Sequence, residues 1–301
     1  MKSKIKIALL GGDLRHGTAA RVLWSRGWDL TVWGQDRSDW KEEKMPQSSE
    51  WEEAVRSADA VVLPLPVSTD GVLLNSPFAP SELRVPIKEI FSKCPEHSAI
   101  IGGRIPKEAV AYAESLGLRV FDYFDSEEFQ IHNAYTTAEA ALSIAMNRLE
   151  RNIRGARIAI TGFGRIAKHL VGILSALGAE VTVAARKGED LAWASSLGCR
   201  TMSLGKDRQN ALERLCHGYD VIYNTVPHWL FERPFLEKMD EDTFLIDLAS
   251  VPGGVDICAA KELGINVLWA TSLPGKYAPF SAGELIADCV DEILRGEVDA
   301  G

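Results

Sequence analysis

The sequence predicts an α/β protein with two doubly wound parallel-sheet domains joined by hinge helices. Short runs rich in Val, Ile and Leu alternate with longer amphipathic stretches along the whole chain, which is the pattern of strand–helix–strand units around a parallel sheet. This pattern occurs twice, once in each half. The length of 301 residues suffices for two domains that each bury a core.

The first half, residues 1–135, contains five candidate strands. They are Lys6–Leu10, Leu30–Trp33, Ala60–Pro64, Ala99–Ile101 and Arg119–Asp122. Helical patterns fill the gaps between them, notably Thr18–Arg26 and Lys107–Leu116. Gly117 follows the second helical pattern, where a glycine often ends a helix.

The second half, residues 153–280, contains six candidate strands. They are Arg157–Thr161, Glu180–Ala184, Arg200–Ser203, Val221–Asn224, Thr243–Asp247 and Asn266–Trp269. Six strands with intervening helices match a Rossmann-like dinucleotide-binding domain in number and size. We therefore predict that any nucleotide binds in this half.

Two helices are predicted to connect the halves. Residues 136–152 form the first, because Thr137–Arg151 is rich in Ala, Leu and Met and contains neither Gly nor Pro. Residues 281–296 form the second, with Gly296 after its last turn. We expect the second helix to pack back on the first domain, so that the two helices form a hinge.

The strongest motif is a glycine-rich turn in Ile158–Ala167. Here a strand runs into Gly162-Phe163-Gly164 and then into a helix, with Ala167 as the third small residue. Gly162 permits the tight turn, and Gly164 lets the backbone approach a pyrophosphate at the helix N-terminus. A strand–helix turn that binds no nucleotide is the alternative. The predicted cofactor contacts in this motif are Gly162, Phe163, Gly164, Arg165 and Ile166.

The end of the next strand indicates which dinucleotide binds. NAD-binding domains usually carry Asp or Glu about 20 residues after the glycine motif, where the carboxylate binds the ribose hydroxyls. This chain has Arg186 and Lys187 there instead. Two cations suit the 2′-phosphate of NADP, which we therefore predict in preference to NAD. A solvated basic turn is the alternative.

Further predicted cofactor contacts follow later strands, because ligands of open α/β sheets bind beyond the carboxyl ends of the strands. They are Asn224, Thr225, Val226, Pro227, Asp247 and Ser250. Polar groups at these positions can contact the ribose and the nicotinamide.

Composition excludes several other classes of protein. The net charge of −9 argues against nucleic-acid binding, which depends on clustered Lys and Arg. No stretch approaches the ~20 apolar residues of a membrane span, and we expect no membrane association. The five cysteines are scattered singly, which is typical of reduced thiols in the cytoplasm and leaves no metal-ligand spacing.

Three segments are more specific than a glycine motif. They are Asn224–Pro227, then Asp247–Ser250 with Pro252–Gly254, and Leu273–Gly275 with Ala278–Pro279. With them, the chain resembles the A subunits of bacterial dipicolinate synthase from Gly11–Arg15 to Ser281–Gly283. The resemblance implies a sporulation enzyme of the mother-cell cytoplasm that oxidises a dihydrodipicolinate-type product of the lysine pathway to dipicolinate. It also implies NADP as cofactor, a partner in the form of a flavoprotein-like B subunit, homo- and hetero-oligomers, and relatedness to 2-hydroxyacid dehydrogenases and adenosylhomocysteinase.

A dicarboxylate substrate needs side chains that bind its two carboxylates, and we expect them in the first, substrate-side domain. Arg15 is the first candidate, because guanidinium binds carboxylate through two hydrogen bonds, and a surface arginine is the alternative. Arg104 is the second. Ser68 and Thr69 follow the third strand and can donate from their hydroxyls.

Proton transfer is assigned to the segment between the domains, which we expect to border the cleft. His132 has the unperturbed pKa best suited to neutral pH. The predicted catalytic residues are His132, Glu139 and Lys276, with Asn133 and Thr137 placed against the substrate. The alternatives are a structural role for His132, a helix-dipole charge for Glu139 and solvent exposure for Lys276.

Two other functions stay open. A stand-alone imino- or hydroxy-acid dehydrogenase would need a His–carboxylate pair at the strand ends, and the second half shows no convincing one. The other is a nucleotide-binding protein that assembles with a partner and catalyses nothing itself.

Overall fold

A computed structural model of the chain describes residues 5–37, 45–80 and 82–300. The chain divides into two compact units. The first consists of Met1–Asn133 with Ala278–Gly301, and the second of Ala134–Tyr277. Each unit is built around one all-parallel sheet, as predicted for a doubly wound α/β protein.

The first unit has a five-stranded sheet in the order β2-β1-β3-β4-β5. The strands are β1 (Lys6–Leu10), β2 (Asp29–Trp33), β3 (Ala60–Val62), β4 (Ala99–Gly102) and β5 (Arg119–Asp122). The helices are α1 (Leu14–Ser25), α2 (Trp51–Val55), α3 (Ile87–Lys93) and α4 (Lys107–Ser115), and a 3-10 turn covers Tyr123–Asp125. In β1, Ala8 and Leu10 pack on one face and Leu9 on the other, so both faces of the sheet are covered.

The long helix α5 (Glu127–Arg148) differs from the predicted connecting helix over 136–152. It begins earlier because Glu127 and Glu128 lie in its first turn, where carboxylates are stabilised by the helix dipole. Because both residues are polar, the spacing of apolar residues does not reveal that the helix begins there. The boundary between the two units falls within α5.

The second unit has a six-stranded sheet in the order β11-β10-β9-β6-β7-β8. The strands are β6 (Arg157–Thr161), β7 (Glu180–Ala185), β8 (Arg200–Ser203), β9 (Val221–Asn224), β10 (Phe244–Asp247) and β11 (Val267–Trp269). The helices are α6 (Arg165–Ala176), α7 (Gly188–Ser196), α8 (Arg208–Leu215), α9 (Arg233–Leu236), α10 (Ile257–Glu262) and α11 (Leu273–Tyr277). This strand order is that of a dinucleotide-binding Rossmann domain. Successive strands are added on one side of β6 up to β8 and on its other side from β9 onward, while all of them stay parallel.

The C-terminal helix α12 (Pro279–Ala300) packs on α1 in the first unit. Gly283 lies at the crossing, where an added Cβ would come within 2.4 Å of the Arg15 carbonyl oxygen. Arg26 forms ion pairs with Asp288 and Asp291 of α12, and the Trp28 indole donates to Asp291 at 2.8 Å. None of the described helices combines the length and the apolar character that a membrane crossing requires.

Candidate cofactor site

The turn between β6 and α6 has the geometry that the glycine motif predicts. Gly162 has a φ of +85°, and an added Cβ would lie 2.6 Å from Thr225 Oγ1, so a side chain fits neither the backbone nor the space. Gly164 differs, since an added Cβ would meet no atom within 4 Å. The first glycine therefore shapes the turn, whereas the second leaves space in front of the helix.

The N-terminus of α6 offers amides to a ligand. Gly164 is the N-cap, and as a glycine it has no side chain with which to cap the helix. The first N–H groups of a helix have no intrahelical acceptor, and they favour anions together with the helix dipole. An uncapped helix behind an open glycine is a fitting place for the pyrophosphate of a dinucleotide.

The carboxyl ends of β6, β9 and β10 are joined by a fully buried polar network. The Thr161 hydroxyl donates to Asn224 Oδ1 at 2.5 Å, and Asn224 Nδ2 donates to Asp247 Oδ1 at 2.7 Å. The Asp247 carboxylate also accepts from the backbone N–H groups of Ala249 at 3.0 Å and Gly254 at 2.8 Å. All three residues of the network are 0% exposed. From this buried position, Asn224 and Asp247 form hydrogen bonds with the backbone of the loops after β9 and β10.

The other predicted cofactor contacts lie around this network at the same edge. Thr225 is partly exposed, and its hydroxyl donates to the Thr161 carbonyl oxygen at 2.7 Å. Val226 and Ile166 are partly exposed, Phe163 is buried, and the exposed members are Arg165, Pro227 and Ser250. The sheet thus brings the glycine turn and the loops after β9 and β10 to one edge.

Arg186 and Lys187, at the end of β7, are both exposed. Their surroundings differ, because Lys187 Nζ lies 3.3 Å from Glu189 Oε1, whereas no carboxylate of the described residues pairs with Arg186. A neighbouring carboxylate offsets the attraction of a lysine for phosphate. Of the predicted cationic pair, Arg186 is therefore the group that is open to an anion.

Arg15 is not a loose surface side chain. It is 9% exposed, and its guanidinium donates to the Asp13 carboxylate from both Nε and Nη2, with Nη2 also donating to the Leu65 carbonyl oxygen at 2.6 Å. These contacts tie the loop after β1 to the loop after β3. A role in binding carboxylate stays a prediction, and it would require the guanidinium to bind a ligand beside Asp13.

The remaining first-unit candidates lie in turns. Ser68 is partly exposed and donates to Asp70 Oδ1 at 3.0 Å, while Thr69 is exposed. The Asp70 carboxylate also accepts from the Val72 and Leu73 N–H groups, and these hydrogen bonds hold the pKa of Asp70 below its usual range. Asp70 is thereby a turn residue.

Arg104 is exposed, with a φ of +55°, and its guanidinium stacks 4.3 Å from the centre of the Phe124 ring. The Asp122 carboxylate accepts from the backbone N–H groups of Arg104 and Ile105 and fixes this strained turn. The stacking orients the guanidinium, and its role in substrate binding stays a prediction.

The candidates for proton transfer lie mostly on α5. His132 is exposed, with Nε2 at 4.0 Å from Glu128 Oε1, and Asn133 is partly exposed. Thr137 is 8% exposed, whereas Glu139 is exposed and hydrogen-bonded to the Tyr135 hydroxyl, raising the pKa of Tyr135. Lys276 is exposed on α11. Their roles stay predictions.

The second unit contains a His–carboxylate pair that the sequence did not reveal. His217 Nδ1 lies 2.8 Å from Asp240 Oδ1, and Asp240 also accepts from the Gly218 N–H, so both contacts lower the pKa of Asp240. These residues precede β9 and β10 and lie at the amino ends of the strands. Ligands of such sheets bind at the opposite edge, so this pair is a structural contact. No group of three metal-ligating side chains occurs among residues 5–37, 45–80 and 82–300.

The fold and the site define a class, that of two-domain proteins with a dehydrogenase-type domain for a nicotinamide cofactor. Residues 128–251 match the family described as the NAD binding domain of D-isomer specific 2-hydroxyacid dehydrogenases. Residues 6–124 match the family described as the N-terminal domain of the dipicolinate synthase A subunit. Together, these two matches support a nicotinamide cofactor and an oxidoreductase role.

Similarity to particular proteins extends over the whole chain. The dipicolinate synthase A subunit of Bacillus subtilis (strain 168) is 28% identical over 298 residues, which are 98% of this chain and 97% of that protein. The crystal structure of the corresponding protein from Bacillus halodurans is 26% identical, with a TM-score of 0.85 and coverage of 98% of this chain and 99% of that one. The Bacillus subtilis structure is 27% identical, with a TM-score of 0.85 and coverage of 100% and 98%. The chain is thus similar to dipicolinate synthase A subunits over nearly its whole length, in line with the sequence resemblance.

Proposed function

We propose that this chain binds NADP, in preference to NAD, in its second unit and oxidises a dihydrodipicolinate-type product of the lysine pathway to dipicolinate during sporulation. The observation that carries the proposal is the uncapped N-terminus of α6 behind the open Gly164. Backbone amides and a helix dipole at that place suit a pyrophosphate. The matches to the dipicolinate synthase family and to the NAD binding domain support the same reaction class.

The chemistry asks little of the protein beyond positioning. Conversion of a dihydropyridine ring to a pyridine removes one hydride and one proton, and NADP supplies the acceptor for the hydride. The chain's residues hold the reacting groups close together, which accounts for much of the catalysis in such a step. Arg15, Ser68, Thr69, Arg104, Asn133 and Thr137 are proposed to bind the dicarboxylate, and His132, Glu139 and Lys276 to handle the proton.

The preference for NADP is assigned to the turn after β7. Arg186 is exposed and has no carboxylate partner among the described residues, so its guanidinium can bind the 2′-phosphate. We expect Arg186→Ala to raise the Kd for NADPH at least tenfold, since a hydrogen bond to a charged group contributes about 1.5–3 kcal/mol. The Kd for NADH should stay within about twofold. Equal loss for both nucleotides would refute this assignment.

The partner is proposed to be a flavoprotein-like B subunit, with the chain in homo- and hetero-oligomers in the cytoplasm. The support lies in the names of its relatives, which describe those proteins as subunits of dipicolinate synthase. The acidic net charge of −9 fits a protein that does not bind nucleic acid.

The test supplies freshly generated dihydrodipicolinate with NADP or NAD and follows the absorbance of dipicolinate. The chain is assayed alone and with the flavoprotein-like partner. Product with NADP in either arm supports the proposal, and product from the chain alone refutes the non-catalytic alternative. Absence of product in every combination would overturn the proposed reaction, and turnover of a hydroxy acid instead would favour the stand-alone dehydrogenase.

A further inference from the structure

The turn after β8, residues 203–206, lies directly against the turn after β7. The two strands pair in register, with Ala185 opposite Ser203, and the Leu204 N–H donates to the Ala185 carbonyl oxygen at 2.9 Å. An added Cβ on Gly205 would lie 2.8 Å from the Arg186 carbonyl oxygen. Only a glycine allows this approach, so the backbone of the β8 turn touches the backbone of the residue that we assign to the 2′-phosphate.

This contact places Lys206 and Ser203, which flank Leu204 and Gly205, in the turn that adjoins Arg186. Lys206 is exposed, and no carboxylate of the described residues forms an ion pair with it. Asp207 follows in the chain, but its carboxylate accepts from the Asn210 amide on α8 at 2.8 Å. The Ser203 oxygen accepts from the N–H groups of Gly205 and Lys206 at 3.4 and 3.3 Å, which leaves its proton to donate elsewhere.

The ion pair of Lys187 with Glu189 leaves Arg186 as the one cation of the β7 turn without a carboxylate partner among the described residues. A phosphate monoester carries nearly two negative charges at neutral pH, and Arg186 alone supplies one positive charge without a partner. Lys187 is already balanced at 3.3 Å by Glu189. Lys206 is the cation that the adjoining strand end contributes, and arginine and lysine often bind one phosphate together.

We propose that Ser203 and Lys206 complete, with Arg186, a site for the phosphate on the 2′-oxygen of NADP. This inference rests on the proposed function of the second unit. It makes the β8 turn a determinant of NADP preference, and it assigns Lys187 a smaller part than its position beside Arg186 predicts from the sequence.

The test measures binding to the full chain without turnover. Kd values for NADPH and NADH are determined by nucleotide fluorescence, and adenosine 2′,5′-bisphosphate and 5′-AMP serve as probes of the adenosine half alone. We expect Lys206→Ala to raise the Kd for NADPH and for the bisphosphate about tenfold, as loss of one charge-assisted contact does. The Kd for NADH and for 5′-AMP should change by less than about twofold. Lys206→Arg should restore binding, and Ser203→Ala should weaken the phosphate-bearing ligands about threefold.

Lys261→Ala is the matched control, because Lys261 is an exposed lysine on α10 of the same unit. It removes the same charge and should leave all four Kd values unchanged. If wild type binds NADPH tightly and Lys206→Ala binds it equally well, the inference is overturned while the proposed function stands. If wild type binds neither nucleotide, or prefers NADH, the proposed NADP function fails and the inference fails with it.

Discussion

His16 is predicted to make the first unit lose stability as the pH falls below neutrality. Its side chain is 1% exposed at the start of α1, and Nδ1 lies 2.9 Å from the Gly11 carbonyl oxygen. Because a carbonyl only accepts, Nδ1 carries the proton in the neutral ring. Nε2 is buried and has no hydrogen-bond partner among the described residues. Burial of this kind penalises the imidazolium, and it lowers the pKa of His16 from 6.5 to about 4.

The direction in which stability changes with pH depends on whether the folded or the unfolded chain binds the proton. Between pH 6.5 and about 4 the unfolded chain takes up a proton at this histidine and the folded chain does not, so the free energy of unfolding falls as the pH falls. The whole difference corresponds to about 3 kcal/mol, and about 2 kcal/mol of it is lost between pH 8 and pH 5. His16→Asn removes the titration, and its amide can still donate to the Gly11 carbonyl from the position of Nδ1.

The assay compares the pH dependence of stability in the two proteins. Urea unfolding and backbone hydrogen exchange of peptides from β1 and α1 are measured at pH 8 and pH 5. The wild type should lose about 2 kcal/mol more than His16→Asn over this interval in those peptides. Peptides from β6 and β10 serve as internal controls and should lose equal amounts in both proteins. An equal pH dependence of β1 and α1 in the two proteins would refute the buried neutral histidine.

Two further substitutions test packing and the polar network. Asp247→Asn places an amide N–H against the N–H donors of the network. It should lower the free energy of unfolding by about 2–4 kcal/mol in urea melts. The control is Asp242→Asn at an exposed position, which should change the free energy of unfolding by less than about 0.5 kcal/mol. Gly283→Ala forces a Cβ against the Arg15 carbonyl and Thr18 and should cost about 1–3 kcal/mol. Gly296→Ala, on the same helix with no atom within 4 Å, should stabilise by up to about 1 kcal/mol, and similar effects of the two alanines would contradict the close crossing of α1 and α12.

Strands were predictable from the sequence because parallel strands buried on both faces appear as continuous apolar runs. Every predicted strand forms, from β1 to β11, with ends that differ by a residue or two. Helix starts were less predictable. The helix α1 begins at Leu14 rather than Thr18, because the Asp13 side chain caps it, and this aspartate was a signal in the sequence.

The candidate site was predictable as a set of positions and less so as a set of contacts. Asn224 and Asp247 end adjacent strands at the expected edge, yet their side chains point into a closed network with Thr161. Sequence position places a residue at a strand end, but the twist of the sheet and the path of the next loop decide which way its side chain turns. Arg15 and Lys187 have carboxylates two residues away, and only the geometry of each turn brings these groups together.

The first strand–helix turn differs between the two units, and this difference explains why the dinucleotide is assigned to the second unit. In the first unit, the Gly12 N–H donates to the Asn75 carbonyl oxygen, and Asp13 caps α1 by accepting from the Arg15 N–H. A phosphate at that turn would meet a carboxylate and amides that already have acceptors. In the second unit, Gly164 occupies the N-cap position and has no side chain that could cap α6 in place of a ligand. Because folding favours satisfied amides, a helix left uncapped at a strand end is costly unless solvent or an anion satisfies it, and that cost favours the bound state.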